Sequence, residues 1–136
     1  MQPEKILLTS NGFYPDISPR SFRATELAKE LVRQGHEVTV LTHPRTGCAE
    51  FCAQHGIRFK DLGHITWPTP VIKGSGVSRL FWRVTARFSS LLFEYPFIQL
   101  MPMLKRGLKG ESGYDLLISV AVPHPIHWGV AAVRTK

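Results

Sequence analysis

The chain has 136 residues, 43% of them hydrophobic and 20% charged. That balance excludes a disordered, fibrous or collagen-like chain, and the length suits one domain with a sizeable core. Seventeen lysines and arginines against ten acids give a net charge of +7 and a pI near 9.9, which predicts attraction to phosphates, nucleic acid or anionic lipid without choosing among them.

In chain order, Ile6-Leu7-Leu8 is a short continuous apolar run, the pattern of a strand buried on both faces of a parallel sheet. Ser18 can cap a following helix, with Pro19 at its first position, where a missing N–H costs nothing. Ala24, Leu27, Ala28 and Leu31 then repeat at i, i+3, i+4, i+7, with Glu26, Lys29, Glu30 and Arg33 turned to water. Gly35 stops that helix, and Val38, Val40 and Leu41 make a second strand. The opening forty-odd residues therefore predict a βαβ unit.

Thr46 to His55 predicts a short helix ended by Gly56, and Ile57-Arg58-Phe59 a third strand. Residues 63–76, with two prolines and three glycines around Trp67 and Val71-Ile72, predict a loop. Residues 77–106 are helical in pattern but interrupted by Pro96 and Pro102, and Lys105 to Gly113 predicts a surface connection. Tyr114 to Ser119 is a fourth strand, and Ile126 to Lys136 begins a helix after Pro123 and Pro125. The expected fold is a doubly wound, Rossmann-like α/β domain: a parallel sheet with helices on both faces. The sequence stops inside that last helical pattern without a cap, which predicts a truncated single domain, 1–136. Met1 to Lys5 lacks a signal-peptide profile, and Cys48 and Cys52, four apart on a helix, are expected to be free thiols.

Three constellations could carry chemistry. Arg20 and Arg23 fall in the first turn of the first helix, where two cations cost about 0.3–1 kcal/mol each unless an anion binds. With Ser18, and with Gly12 beyond the first strand, they suit a phosphate contact; otherwise they are solvated or paired with Asp16 and Gly12 is a plain turn glycine. His124 and His127, three apart at the mouth of the last helix, could bond a sugar hydroxyl or merely serve the helix start. No thiol or acid near them completes a metal site. Arg79, Arg83 and Arg87 form a basic stripe opposite Leu80, Phe81, Val84, Phe88, Leu91 and Leu92, with Trp82 near the boundary. This suits an anionic membrane surface or, equally, a crossover helix with a solvated face. Glu94, Pro96 and Pro102 argue against a membrane span, and no nucleic-acid module, Gly-x-Gly-x-x-Gly or phosphate-loop lysine is present.

Phe13-Tyr14-Pro15, Ala24-Thr25-Glu26-Leu27-Ala28-Lys29-Glu30-Leu31 and Gly35-His36-Glu37-Val38-Thr39-Val40-Leu41-Thr42 together resemble the start of the GT-B glycosyltransferases, in particular the family-4-like retaining group. Tyr114 to Ser119 followed by Pro123 to His127 is similar to that group's later strand and helix, whereas residues 45–110 match in layout only. Asp16-Ile17-Ser18-Pro19-Arg20 replaces the Gly-Gly loop of many members, and Val120 stands where many place a histidine.

The resemblance implies the acceptor-side N-terminal half of a glycosyltransferase. Such an enzyme moves a hexose from a nucleotide-sugar donor to a saccharide or lipid-linked acceptor in cell-surface polysaccharide synthesis. It would need no metal or other cofactor and would work in the cytoplasm, peripherally at the inner face of the cell membrane. The donor-binding C-terminal domain lies outside this sequence, so the chain alone is expected to be inactive, and no catalytic residue is assigned. The alternative is a non-catalytic Rossmann-type binding or interaction domain.

Overall fold

A computed structural model describes residues 2–68, 74–109, 111–120 and 123–133, with only the backbone of Phe93. The expected Val71-Ile72 segment and the end of the last helix, residues 134–136, lie outside the described residues. The elements run β1 Lys5–Ser10, α1 Pro19–Arg33, β2 Glu37–Thr42, α2 Cys48–Gln54, β3 Arg58–Asp61, α3 Gly76–Phe93, a 3₁₀ turn Phe97–Gln99, α4 Leu100–Leu108, β4 Leu116–Val120 and α5 Pro125–Ala131. The described strands form one all-parallel sheet in the order β3-β2-β1-β4, so the fold is α/β and Rossmann-like.

The alternation of each central strand builds both faces at once. Leu8, Val38 and Val40 point to one side, where they meet Ala24 and Ala28 of α1 and Cys48 and Cys52 of α2. Leu7 and Leu41 point to the other side and pack against Leu100, Leu104 and Leu108 of α4 and Ile126 of α5. Buried on both faces, β1 and β2 read as near-continuous apolar runs rather than alternating ones.

Local signals place α1 as expected. The Ser18 hydroxyl accepts the Ser21 N–H at 3.1 Å, and Pro19 opens the helix. After the cap residue Gln34, Gly35 takes φ +93° and its N–H returns to the Val32 carbonyl, a left-handed stop that suits glycine. His36, buried beside it, accepts the Glu4 N–H on Nδ1 at 3.1 Å and so ties the amino terminus to the second strand.

Three expectations are corrected. Pro102 does not interrupt a helix; it is the third residue of α4, in the first turn, where its missing N–H has no intrahelical partner to lose. Lys105 to Gly113 is not wholly a surface connection, because α4 continues to Leu108. Gly107 sits against the sheet, where a Cβ would meet Leu41 Cδ2 at 3.4 Å, so that glycine marks close packing rather than a break. Lys105 and Arg106 fall in the helix's last turn, the end its dipole favours for cations, and Lys60 donates to the Gly107 carbonyl at 3.0 Å. The fourth strand also starts two residues later than expected. Asp115 clamps its entry, accepting the Lys5 N–H at 2.8 Å and donating its own N–H to the Lys5 carbonyl at 2.9 Å.

Candidate functional site at the carboxyl edge

In an open parallel sheet, ligands sit beyond the carboxyl ends of the strands where the strand order reverses. Here that point lies between β1 and β4, the strands that lead to opposite sides of the sheet. A cavity of about 250 Å³ opens there, lined by Asn11, Arg20, Ser90, Glu94, Tyr95, Phe97 and Pro123. Asn11 follows β1, Arg20 lies in the first turn of α1, Ser90 to Phe97 belong to the end of α3 and its exit, and Pro123 precedes α5. A wider hollow of about 700 Å³ lies at the amino edge, around Lys5, His36, Glu37, Arg58 and Tyr114. Its floor is the start of the strands, the end of such sheets that does not gather ligands.

Glu94 was not expected from the sequence. It ends α3 in the left-handed conformation, φ +46°, where glycine or asparagine would ordinarily serve and most residues pay a penalty. One carboxylate oxygen accepts the backbone N–H of His124 at 2.9 Å, and the other lies 3.6 Å from its ring. Residues held in unfavourable backbone states cluster at functional sites, which makes Glu94 a candidate. Asn11 is held by a second unexpected residue, His43, which is buried at the end of β2. His43 Nε2 lies 3.0 Å from the Asn11 side chain, and Nδ1 contacts the Gly63 carbonyl. A position just beyond a strand's carboxyl end was the available signal, the one that singled out Gly12; it holds equally for Asn11 after β1 and His43 after β2.

Of the residues expected to bind, Arg20 lines the cavity. Ser18 spends its hydroxyl on the helix cap. Gly12 packs near Ser21, where an added Cβ would sit at an ordinary 3.6 Å, so no steric demand for glycine exists there. Arg23 is exposed and does not line the cavity, and neither it nor Arg20 is ion-paired among the described residues; Asp16 pairs with Arg45 instead. His127 lies 2.6 Å through Nδ1 from the Ser119 hydroxyl, and His124 is the exposed residue held by Glu94. The helix-start alternative for these histidines thus has a physical form, but the carboxylate of Glu94 makes the contact, not an imidazole.

The backbone contributes little to anion binding. Pro19 has no N–H and that of Ser21 is taken, which leaves the N–H of Arg20 in the first turn. With one guanidinium and one carboxylate around it, the cavity balances charge and offers an amide, a hydroxyl and two aromatic rings. Such a lining suits an uncharged polyhydroxyl ligand better than a phosphate. Beside it, Trp67 is 45% exposed and stacks on Tyr95 with centroids 5.9 Å apart. Gln99 accepts the Thr66 and Trp67 N–H groups, both at 3.1 Å, and fixes the segment that carries this ring.

Cys48 and Cys52 are free and buried; burial pushes the Cys52 thiol up to about 12 and raises Cys48 as well, so neither is a thiolate near neutrality. Among the described residues no group of three His, Cys, Asp or Glu could hold a metal ion, and no helix is long and apolar enough to cross a membrane. No protein-family model matches the chain, and no curated protein matches it in sequence.

Proposed function

We propose that this chain is the acceptor-binding half of a GT-B glycosyltransferase. Such an enzyme transfers a sugar from a nucleotide-sugar donor to a saccharide or lipid-linked acceptor in cell-surface polysaccharide synthesis, peripherally at the cytoplasmic face of the membrane. The observation that carries the proposal is the charge-balanced, aromatic-sided cavity at the reversal point between β1 and β4, lined by Asn11, Arg20, Glu94, Tyr95 and Phe97. Sugars are recognised in this way, by planar polar groups that bond hydroxyls and by rings that cover their apolar C–H faces. Of the residues of the resemblance, Phe13-Tyr14-Pro15 lie in the loop after β1, on the carboxyl side, while Gly35 to Thr42 run from the stop of α1 along β2 and reach that side only at Thr42.

Nuclear magnetic resonance titration with lactose, maltose and a hexose 1-phosphate tests the proposal. Millimolar saccharide binding is expected, with shifts centred on Asn11, Arg20, Glu94 and Tyr95, and Glu94→Gln should weaken it about tenfold, the scale of one charge-assisted hydrogen bond. Saccharides that leave these residues unperturbed would favour a non-catalytic interaction domain. Calorimetry with uridine and guanosine diphosphate sugars tests the division of labour: weak binding is expected, and sub-micromolar binding by this chain would overturn the half-enzyme assignment.

A further inference from the structure

Helix α3 is turned inside out. At 3.6 residues per turn, Val77, Leu80, Phe81, Val84, Phe88, Leu91 and Leu92 share an arc of about 120°. An amphipathic helix in a two-layer packing buries such an arc. Here all seven are exposed: Phe81 is 63% exposed, Phe88 62% and Leu91 67%. None belongs to either core cluster, while the small residues Thr85, Ala86 and Ser89, outside the arc, are half-buried. The crossover-helix alternative, in which this apolar face would cover the sheet, does not describe α3.

Charge decides what covers it. The eighteen residues of α3 hold three arginines and no acid. Arg83 and Arg87 border the apolar arc and line a surface groove of about 590 Å³ with Leu80, Val84, Phe88 and Leu91. Guanidinium groups along one flank of an apolar strip match a bilayer in which acyl chains lie beneath anionic headgroups, and long arginine stems can reach the headgroups while the strip sinks. A second copy of this chain would bring a like-charged stripe against the first. Trp82 lies across the helix from the arc, 51% exposed and edge-on to Phe81, so it is not a membrane-facing residue.

We propose that α3 lies in the interface of an anionic phospholipid membrane, inserting the arc from Val77 to Leu92 and holding headgroup phosphates with Arg83 and Arg87, whereas Arg79, like Trp82, stands across the helix from the arc. This deepens the peripheral placement of the transferase proposal but stands on the exposure of α3 alone, so saccharide titration and vesicle binding can fail separately. Co-sedimentation with vesicles of 70% phosphatidylcholine and 30% phosphatidylglycerol, compared with pure phosphatidylcholine, is the test. Binding should be confined to the anionic vesicles, fall with added salt, and drop about thirtyfold when Arg83 and Arg87 become glutamine. Phe88→Asp with Leu91→Asp should abolish binding while leaving the melting temperature unchanged, and Trp82→Phe should leave binding intact. Equal binding to both vesicle types, no binding, or indifference to the arginines would each overturn the proposal. So would unfolding of the aspartate variant, or a dimer in solution that this variant separates.

Discussion

Helices α3 and α4 follow one another along the chain and treat their leucines in opposite ways. Leu100, Leu104 and Leu108 of α4 are fully buried against Leu7 and Leu41 of the sheet, whereas Leu80, Leu91 and Leu92 of α3 face solvent. The contrast lies in what each apolar face can fit. In α4 the leucines recur every fourth residue as a narrow ridge, and two glycines let backbones come close: Gly107 against Leu41, and Gly129 of α5 against Leu104. In α3 the face is a broad, bulky arc bordered by arginines, and burying it on the sheet would also bury those charges. Amphipathic pattern alone does not say where a helix goes.

The sharpest break in that comparison is a matched pair of truncations. Leu104→Ala should cost about 2–5 kcal/mol, the range for an aliphatic core residue replaced without collapse. Leu91→Ala, the same chemical change, should stay within about 0.5 kcal/mol, as surface substitutions do. Urea unfolding of the two variants checks this, and similar costs would place α3 in the core after all.

The contrast also explains what was legible in the sequence. The βαβ opening was readable because Ser18, Pro19, Gly35 and the spacing of Ala24, Leu27, Ala28 and Leu31 all act locally, within a turn or two of where they stand. Lys105 to Gly113 misled because glycine has two uses, and only Leu41, far away in sequence, shows that Gly107 is there for contact. The candidate site was legible in part. Arg20 was visible through its conflict with the helix dipole, while Glu94 and His43 gain meaning only when separate segments meet at the carboxyl edge. No spacing rule links residues 11, 20 and 94.

A second variant sharpens the α4 side. A Cβ on Gly129 would stand 2.9 Å from Leu104 Cβ and 3.2 Å from the Met101 carbonyl oxygen. Gly129→Ala should therefore lose about 1–3 kcal/mol to overpacking, offset by up to about 1 kcal/mol of helix propensity. A stabilised variant in thermal melting would mean that α4 and α5 do not cross closely.

The opposite face of the sheet has a chemical probe. The folded Cys52 pKa, pushed up to about 12 by burial, lies above the roughly 8.5 of an unfolded thiol, so the fold favours the neutral form. That contribution is complete below about pH 8.5 and is lost as pH rises from there toward the folded value. Stability measured in urea should decline over that window, and less so in Cys52→Ala than in the parent. Iodoacetamide at pH 8 should label neither cysteine in the folded protein and both in denaturant, and rapid labelling of the folded chain would refute the burial of α2.

The smallest effects belong to the arginines at the start of α1, and they test which ligand the cavity takes. Arg20, the second residue of α1, opposes the helix dipole, so glutamine there should raise the stability of the anion-free protein by about 0.3–1 kcal/mol. Arg23, expected in the first turn, is the fifth residue and past it, so its replacement should change stability little. Their responses to phosphate should differ, because Arg20 lines the cavity and Arg23 does not. Phosphate should raise the melting temperature of the parent only slightly, since the Glu94 carboxylate shares the cavity with Arg20 and only one free N–H of the first turn remains. Arg20→Gln should abolish that small increment and Arg23→Gln should leave it. Glu94→Gln should enlarge it, because removing the carboxylate turns a balanced, sugar-like lining into a cationic one. A large phosphate response in the parent, untouched by Glu94→Gln, would mean that the cavity is built for an anion and that a neutral saccharide is the wrong ligand.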